Sequence, residues 1–483
     1  MLFVPNPSAN LVGYRREVSG LIYAGRPRIP WFFCIKRPGC MMDQGKKFSP
    51  HLVLIRGFLI VIVTGAILLS FPFAVHEGRL PFLDALFTAT SAVCVTGLVV
   101  VDTGTTFTLL GQIIIMLLIM IGSLGFMTMA TLIFILLGRQ ITLKDRLLIH
   151  ESFNTYNIQG MVVLILSVVK LALTFQLIGT LLLSIRLVPL YGWAKGLFFS
   201  LFHAVSAFGN AGFDLMGNFT SLTTFVTDPL VTGTIAALFI IGGLGFTVVI
   251  ECYQKRKYAA FSLHTKVVLM VTAILLSFGA LSVLFLEYTN NATLGPLPLF
   301  NKVSAAFFTA ATPRTAGFNV IPTDLLHPYT LFFLMVLMFI GASPASTGGG
   351  IKTTTFVTLF YAVLNTVKGS YDIEIGKRRL PQNLIMRALA VVCLSFSLVV
   401  LAAFLLAITE NKEFIATLFE VVSAFGTVGL SMGITPDLTP FGRIIIILVM
   451  FIGRVGPLTV AFALASRKSE KGIRYPEGRI FVG

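Results

Sequence analysis

Charged residues are scarce in this chain of 483 residues, and their scarcity excludes most classes of soluble protein. Asp, Glu, Lys and Arg together make up 12% of the sequence, whereas soluble domains carry about 25%. Acidic residues are the scarcer sign, with 20 Asp and Glu against 36 Lys and Arg. Hydrophobic residues reach 56% of the chain. This composition predicts a membrane protein with many spans.

Two further absences narrow the function. The five cysteines are odd in number and scattered, which argues against a disulfide framework and against a zinc site. No predicted strand is followed by G-x-G-x-x-G, so the chain has no nucleotide-binding domain of its own. The apolar segments carry no Ser/His/Asp, zinc-binding or paired-carboxylate pattern. A membrane enzyme or scaffold is therefore only a distant alternative, and we predict that the protein is not an enzyme.

Eight long apolar stretches run through the sequence after residue 50. A membrane-spanning helix needs about 20 apolar residues, so each stretch predicts one span. Within each pair of spans lies a shorter apolar segment of about a dozen residues, too short to cross a bilayer as a helix. These four segments must enter the membrane and return. The predicted spans are 52–74, 107–137, 161–185, 229–251, 266–287, 330–366, 386–408 and 442–465.

The distribution of Lys and Arg predicts the orientation. If the N-terminus is cytosolic, the leader, alternate loops near 139–146, 255–266 and 368–387, and the tail hold 25 basic residues, against five on the opposite side. Cytosolic loops carry an excess of Lys and Arg, so both termini are predicted to be cytosolic. The outer side carries ten acids, which would concentrate cations at an outer mouth.

The four short segments resemble one another, which indicates an internal repeat. In each, a Phe stands ten residues before a Gly. The pairs are Phe87 and Gly97, Phe202 and Gly212, Phe307 and Gly317, and Phe419 and Gly429. A second mark, Ile-Gly-x-x-Gly or Ile-Gly-x-x-Pro, follows at Ile121, Ile241, Ile340 and Ile452. The fold class predicted is an all-α polytopic membrane protein of four fused helix, pore-loop, helix repeats around one central pore, with eight transmembrane spans and four re-entrant pore helices.

The repeats set the domain boundaries. We predict repeat 1 at 51–138, repeat 2 at 139–253, repeat 3 at 254–366 and repeat 4 at 367–466, with a cytosolic tail at 467–483. The leader 1–50 holds eight basic residues and lacks the apolar stretch of a secretory signal. Two interpretations of it stay open: a disordered cytosolic tail, or an upstream start codon with the natural beginning near Met41 or Met42.

The glycines of the repeat predict an ion filter. Non-helical backbone at membrane depth is tolerated only where protein or water satisfies its polar groups. Four such segments around an axis can turn carbonyl oxygens to a central path, where they replace the hydration shell of a monovalent cation. No acid recurs at these positions, which disfavours a divalent site. The predicted K⁺-coordinating residues are Val95, Thr96, Gly97, Asn210, Ala211, Gly212, Thr315, Ala316, Gly317, Thr427, Val428 and Gly429.

Two departures from the repeat predict a gate below the filter. Repeat 3 is interrupted by a segment with three consecutive glycines and a proline, which cannot stay helical. At the matching depth repeat 4 holds Arg454, whose charge needs a partner in the membrane. Freed carbonyls of the interrupted segment are its natural acceptors, either as a movable plug or as a fixed structural cluster. The predicted gate residues are Gly341, Ala342, Ser343, Pro344, Ser346, Thr347, Gly348, Gly349, Gly350, Lys352 and Arg454.

At these motifs the sequence resembles the Trk, Ktr and HKT superfamily of potassium transporters, and within it the membrane subunits of bacterial Ktr uptake systems. The matching segments are Thr90-SAVCVTGLVVVDTG, Phe208-GNAGFDLMGNF, Ala311-TPRTAGFN, Gly341-ASPASTGGGIKTT, Phe425-GTVGLSMGITPDLT and Phe451-IGRVGPLT. The resemblance spans about residues 42 to 470 and implies potassium uptake across a bacterial plasma membrane. It also implies that the 342–352 loop is the intramembrane gate and that Arg454 faces it.

The resemblance further implies the partners. It implies a homodimer with one pore per protomer and a cytosolic RCK-type ring of nucleotide-binding subunits (KtrA/KtrC-like), which would carry the nucleotide. The basic loops 255–266 and 377–379 and the tail after Ser466 are the expected docking surface. No bound cofactor and no nucleic acid are expected. The same fold with sodium as principal or coupling ion stays open, although the Ser that the family links to sodium transport is replaced here by Gly97.

Overall fold

The computed structural model describes residues 50–125, 128–129, 131–132, 161–370, 372–376 and 378–464. The predictions for the leader, for the basic loop 139–146 and for the tail 467–483 lie outside these residues. Helices dominate the described part. They are α1 Pro50–Ser70, α2 Phe82–Cys94, α3 Thr103–Thr106, α4 Leu109–Leu124, α5 Met161–Tyr191, α6 Trp193–Gly209, α7 Pro229–Leu244, α8 Phe246–Lys255, α9 Leu263–Glu287, α10 Leu299–Ala311, α11 Pro328–Phe339, α12 Thr353–Val367, α13 Gln382–Thr409, α14 Phe414–Gly426, α15 Pro440–Val455 and α16 Pro457–Leu464.

Four of these helices are long and apolar enough to cross a membrane by themselves. They cover Leu52–Ser70, Val162–Tyr191, Leu263–Glu287 and Gln382–Thr409, close to the predicted spans 52–74, 161–185, 266–287 and 386–408. Each is only about one-third buried within the protein, with values from 28% to 33%. Apolar surface that faces outward along a helix of this length is typical of contact with lipid.

In repeats 1, 2 and 4 the second helix ends earlier than the sequence predicts. α4, α7 and α15 end just before Gly125, Gly245 and Gly456, which have φ of +83°, +98° and +94°. Such values lie outside the right-handed helical region, so the helix cannot pass through them. After the break the chain turns by 96° from α7 to α8 and by 95° from α15 to α16. The sequence predicted this interruption only for repeat 3, where α11 and α12 are separated by residues 340–352.

The structure therefore does not confirm the predicted count of eight spans. Among the described residues, four helices qualify as spans by length and composition, or six if each bent pair is one span. The shortfall follows from the breaks, because α4, α11 and α12 are each too short to cross alone. The all-α prediction also has one exception in the described chain, an antiparallel hairpin of β1 Glu374–Ile375 and β2 Arg378–Arg379.

The second helix of each repeat packs against the short helix of the next. α4 lies on α6, α7 on α10, α11 on α14, and α15 returns to α2. An ion pair between Asp84 of α2 and Arg443 of α15 joins the last repeat to the first. The short helices α2, α6, α10 and α14 thus stand around one axis, each held between its own repeat and the preceding one.

Candidate functional site

The four glycines of the repeat meet at the ends of the short helices. A methyl group on any of these glycines would meet backbone atoms of another repeat. From Gly97 it would lie 2.5 Å from Ala211 O, and from Gly212 it would lie 2.9 Å from Gly317 Cα. From Gly317 it would lie 2.5 Å from Val428 O, and from Gly429 it would meet Thr96 O. The contacts run in sequence order and close into a ring of backbone, with no room for a side chain at any of its four glycines.

A left-handed residue precedes each ring glycine by two positions. Val95, Asn210, Thr315 and Thr427 have φ of 57°, 58°, 71° and 51°, and Gly97, Gly212, Gly317 and Gly429 have φ of 93°, 69°, 78° and 95°. In repeats 1, 2 and 4 the turn is a Schellman motif, with Thr96 N bonded to Ser91 O, Ala211 N to Ser206 O and Val428 N to Ser423 O. The helix C-termini therefore end at the ring, where their dipoles favour a cation.

A hydroxyl group holds each of the four turns from within its own short helix. Ser91 Oγ accepts from Gly97 N at 3.0 Å, and Ser423 Oγ accepts from Gly429 N at 3.1 Å. Ser206 Oγ instead donates to Phe213 O at 2.7 Å. Repeat 3 has Ala311 at the matching position, and Thr312 Oγ1 donates to Phe318 O at 2.8 Å in its place. The backbone that follows each ring glycine, or the glycine itself, is thereby tied to the helix behind it.

The predicted gate loop lies directly against three of the left-handed residues. Thr347 Oγ1 donates to Asn210 Oδ1 at 3.1 Å, and Gly349 N donates to Thr427 Oγ1 at 3.0 Å. Gly348 approaches Thr315 so closely that an added methyl group would meet Thr315 Oγ1. The fourth left-handed residue, Val95, has no polar side chain. The loop therefore occupies the space next to the ring and is bonded to repeats 2 and 4.

Asn210 joins the loop to the ring. Its side chain is fully buried and donates through Nδ2 to Thr315 Oγ1 at 3.1 Å, while its Oδ1 accepts from Thr347. The sequence placed Asn210 among the ion-coordinating residues without assigning its side chain a partner. The side-chain amide links two ring segments and the loop, which leaves the main-chain oxygen as its group for coordination.

The two ends of the loop pair with each other, and the loop backbone also bonds to a second repeat. Ile340 and Ile351 form a parallel β-bridge at its base, and Lys352 Nζ donates to Gly348 O at 2.7 Å. Loop backbone also bonds to repeat 2, with Ser343 N donating to Gly243 O at 3.1 Å and Thr347 N to Gly242 O at 3.3 Å. These acceptors lie in the last turn of α7, just before the break at Gly245.

Arg454 bridges the loop and repeat 1. Its Nη1 donates to Thr347 O, and its Nη2 donates to Gly122 O at the end of α4. The sequence predicted carbonyl acceptors in the loop but missed Gly122. One guanidinium can hold both carbonyls because it offers several N–H groups in a fixed plane.

The Gly-x-x-Gly marks provide close packing. A methyl group on Gly122, Gly242 or Gly453 would meet the carbonyl oxygen of Val93, Phe208 or Phe425, near the end of the neighbouring short helix. Small residues at such positions let two helix backbones approach closely in membranes. In repeat 3 the matching Gly341 contacts Gly349 of the loop instead.

Sequence reasoning missed a set of ties at the outer ends of the long helices. Glu287 accepts from Thr330 Oγ1 at 2.5 Å and from His327 N at 2.9 Å, which fixes the start of α11. Glu410 accepts from Thr439 Oγ1 at 2.5 Å and from Thr439 N at 3.1 Å, which fixes the start of α15. In repeat 2 the long helix carries a basic residue instead of an acid: Arg186 pairs with Asp228, which precedes α7, at 2.5 Å. In the sequence, the signal that could have indicated these bonds was an acidic residue at the end of a predicted span.

A cavity of about 240 Å³ lies on the side of the ring opposite the loop. Its lining includes all four ring glycines together with Asp102 and Asp214. Asp102 also accepts from Asn218 N at 2.7 Å, which joins the outer loops of repeats 1 and 2. At the exposed surface near this cavity a hydrogen bond from Lys412 lowers the pKa of Asp437. The cavity and the loop thus lie on opposite faces of one constriction.

The long apolar helices and the interrupted helices that meet at a buried backbone ring define a multi-pass helical membrane protein. The model of the TrkH family, described as a cation transport protein, matches residues 48–473. The chain belongs to this family of cation transport proteins.

Individual relatives agree with the assignment. The Ktr system potassium uptake protein B of Bacillus subtilis (strain 168) is 48% identical over 90% of this chain and 97% of its own length. The potassium/sodium uptake protein NtpJ of Enterococcus hirae is 41% identical over 91% of this chain and 98% of its own. The crystal structure of the potassium transporter TrkH from Vibrio parahaemolyticus aligns with a TM-score of 0.67 over 87% of this chain and 86% of that chain, at 17% identity. At that identity the likeness concerns the fold.

Proposed function

We propose that this chain is the ion-translocating subunit of a potassium uptake system and not an enzyme. The observation that carries the proposal is the closed ring of Gly97, Gly212, Gly317 and Gly429, in which every neighbour is backbone. Main-chain carbonyls at such a ring can replace the water around a dehydrated K⁺ ion. The names of the Bacillus and Enterococcus relatives support potassium as the substrate.

The proposal includes the predicted architecture and filter. Four fused repeats contribute eight membrane crossings, with the second crossing of each repeat bent or interrupted at its glycine or loop. The four three-residue segments named above coordinate K⁺ through main-chain oxygens. Support comes from their burial, which is complete except at the half-buried Gly429, from the left-handed residue and glycine in each, and from the helix ends that surround them.

The loop between Gly341 and Lys352 is the proposed gate, and Arg454 is its latch. The loop lies against Asn210, Thr315 and Thr427, so an ion that leaves the filter on this side meets the loop. The glycine-rich part carries no large apolar side chain, and hydrogen bonds attach the loop to its surroundings: to Asn210 and Thr427 beside the ring, to Gly242 and Gly243 of α7, and to Arg454. Such an attachment can be released and remade more readily than packed apolar side chains.

The partners remain those implied by the family resemblance. We propose a homodimer in the bacterial plasma membrane with cytosolic termini and a cytosolic RCK-type ring that carries the regulatory nucleotide. In the described part of the docking surface, Ile375 of the hairpin is buried with Val267 and Val357. The hairpin leaves Arg378 and Arg379 exposed, as are Arg256 and Lys257 in the other basic loop. These four cations suit an acidic surface on the ring.

Sodium is the second candidate substrate. The Enterococcus relative is named for both potassium and sodium uptake, and it matches nearly the whole chain. Main-chain oxygens bind either monovalent cation, and selectivity depends on their spacing and rigidity. Flux of both ions has to be compared in one preparation.

Growth of a potassium-uptake-deficient bacterial strain at limiting K⁺ tests the proposal. We expect growth when this chain is expressed with a candidate ring subunit, and weaker growth when it is expressed alone. Uptake of rubidium and of sodium in the same cells decides between the two substrates. Purified protein in liposomes that passes no monovalent cation, with or without the ring subunit, would contradict a transport function.

A further inference from the structure

The position directly after the Phe of each repeat differs among the four short helices. It holds Thr88, His203, Phe308 and Glu420, and all four side chains are buried. In repeat 1, Thr88 Oγ1 bonds only to Asp84 O of its own helix, at 2.9 Å. In repeat 3, Phe308 packs edge-on against Phe239 with ring centroids 5.5 Å apart. Among these four described residues, only those of repeats 2 and 4 form hydrogen bonds beyond their own helix.

His203 holds the chain that follows the filter in repeat 2. Its Nδ1–H donates to Phe199 O at 2.7 Å, so the unprotonated Nε2 accepts from Leu215 N at 3.3 Å. Leu215 stands three residues after Gly212 and is buried. A side chain rooted in the short helix thereby fixes the backbone just outside the filter.

Glu420 does the same in repeat 4 with different chemistry. Its Oε2 accepts from Ser431 Oγ at 2.7 Å, and its Oε1 accepts from Thr435 Oγ1 at 2.5 Å. Ser431 Oγ in turn accepts from Gly433 N at 3.0 Å. Among the described residues no cation forms an ion pair with Glu420. The hydrogen bonds of its carboxylate therefore hold this outer loop.

The outer loops of repeats 1 and 3 depend on repeat 2. Asp102 of repeat 1 accepts from Asn218 N, and Asn319 of repeat 3 bonds to repeat 2 through Ser221 Oγ at 3.1 Å and Leu222 N at 2.9 Å. The repeat 4 loop covers residues 430–438. Among the described residues, the side-chain hydrogen bonds that involve this loop join it to other residues of repeat 4. The outer end of the filter is thus anchored at two opposite points, one in repeat 2 and one in repeat 4.

We propose that His203 and Glu420 are positioning residues that hold the outer ends of the filter segments and thereby set the discrimination between K⁺ and Na⁺. The proposal rests on the proposed function, since it takes the ring as the filter. Both side chains are fully buried and lie behind the filter, so they act through Leu215, Ser431 and Thr435 and not by contact with the ion. A filter whose oxygens are less firmly placed adapts more readily to the smaller ion.

Rubidium and sodium uptake by the full chain with its ring subunit tests the proposal. Glu420→Ala should lower the rubidium-to-sodium ratio by about tenfold, the factor that a hydrogen bond to a charged group is worth. Glu420→Gln should restore the ratio, because its amide can accept from one hydroxyl and donate to the other. His203→Ala should lower the ratio as well. Thr88→Ala is the matched control and should leave it unchanged.

A second set of variants separates positioning from a general loss of structure. Ser431→Ala with Thr435→Val removes the same bonds from the loop side, so adding Glu420→Ala to it should cause no further change. This pair keeps the test decisive if Glu420→Ala is absent from the membrane. A wild-type ratio in Glu420→Ala or in the loop pair would overturn the inference, as would failure of the Gln variant to restore it. A wild-type chain that takes up neither ion would instead overturn the proposed function.

Discussion

Gly97 meets two separate requirements at one position. Its φ of +93° disfavours a side chain, and the space where a Cβ would stand is filled by Ala211 O at 2.5 Å. Gly78 meets only the first, since its φ is +65° and nothing lies within 4 Å of an added methyl group. Substitutions at these two glycines of repeat 1 therefore distinguish the cost of backbone strain from the cost of close contact.

We expect Gly97→Ala to abolish potassium uptake and Gly78→Ala to preserve it. Both substitutions cost about 1 to 2 kcal/mol for a left-handed residue with a Cβ, but only Gly97→Ala also forces two filter segments apart. Rubidium uptake should fall by about tenfold or more in Gly97→Ala. Membrane abundance of both variants must be measured beside uptake. Equal uptake by the two variants would contradict the importance of the ring contact.

The sequence was informative about the ring glycines and uninformative about their neighbours. The offset of ten residues from Phe identified Gly97, Gly212, Gly317 and Gly429 as one set. Val95 and Thr427 are β-branched residues, which rarely adopt φ of 57° and 51°. Tertiary contacts around the helix end impose that conformation, and the local sequence does not indicate it.

At the scale of single elements, one arginine connects the interrupted segment of repeat 3 to repeat 1. Arg454 donates to Thr347 O in the loop and to Gly122 O in α4. Both acceptors are carbonyl oxygens, so only the donor side of this bridge can be altered by substitution.

We expect Arg454→Ala to raise rubidium uptake in cells that lack the ring subunit. Loss of a charged hydrogen-bond donor to the loop should shift the closed state by about tenfold. Lys352→Gln is a suitable control, because Lys352 bonds to Gly348 O within the loop and does not join the loop to another repeat. Unchanged uptake and regulation in Arg454→Ala would assign the arginine to a fixed structural cluster.

The outer helix ends offer a prediction about stability. Glu410 is 4% exposed and accepts two hydrogen bonds from Thr439, the residue that caps α15. Glu410→Ala should destabilise the purified protein by about 2 kcal/mol, since buried hydrogen bonds to a charged group are lost. Thermal unfolding in detergent measures the effect. Glu413→Ala is the control, because Glu413 is exposed and its side chain does not cap α14; equal destabilisation by the two would contradict the role of the cap.

At this scale the sequence predicted which segments form helices, but it did not predict where most of the helices are broken. The four long helices lie within a few residues of the predicted spans because their apolar runs are uninterrupted. The same argument failed for α7 and α15, since the apolar run continues past Gly245 and Gly456 although the helix does not. Repeat 3 alone carries enough glycine and proline for a break to be visible in sequence.

At the scale of the whole molecule, one ion pair joins the two ends of the ring of repeats. Asp84 of α2 and Arg443 of α15 have side chains that are 14% and 20% exposed, and Arg443 also donates to Leu438 O and Pro436 O at 2.9 Å each. An open end between repeats 4 and 1 would expose the proposed filter to lipid from one side.

We expect a double-mutant cycle of Asp84→Ala and Arg443→Ala to give a coupling free energy of about 1 to 2 kcal/mol in unfolding experiments. The pair is partly buried, and its arginine is fixed by two further bonds. The exposed pair of Asp372 and Arg379, whose side chains are 42% and 65% exposed, should give less than about 0.5 kcal/mol in the same cycle. Equal coupling in both cycles would contradict a special role for the pair that closes the ring.

The arrangement of the repeats was only partly accessible from sequence. Equal spacing of marks indicated four similar units, and the need to satisfy backbone at membrane depth indicated a shared axis. The order of packing, with each second helix on the next short helix, depends on contacts between residues more than 100 positions apart, such as those of Asn210 with Thr315 and Thr347.

The single copy of Arg454 has an electrostatic consequence. An assembly of four identical chains would place the same guanidinium four times around one narrow passage, where the like charges would repel one another and any entering cation. Because the four repeats lie in one chain, each can carry its own residues at this depth. In the proposed mechanism repeat 3 supplies the gate loop and repeat 4 supplies the arginine that holds it, while repeats 1 and 2 carry neither.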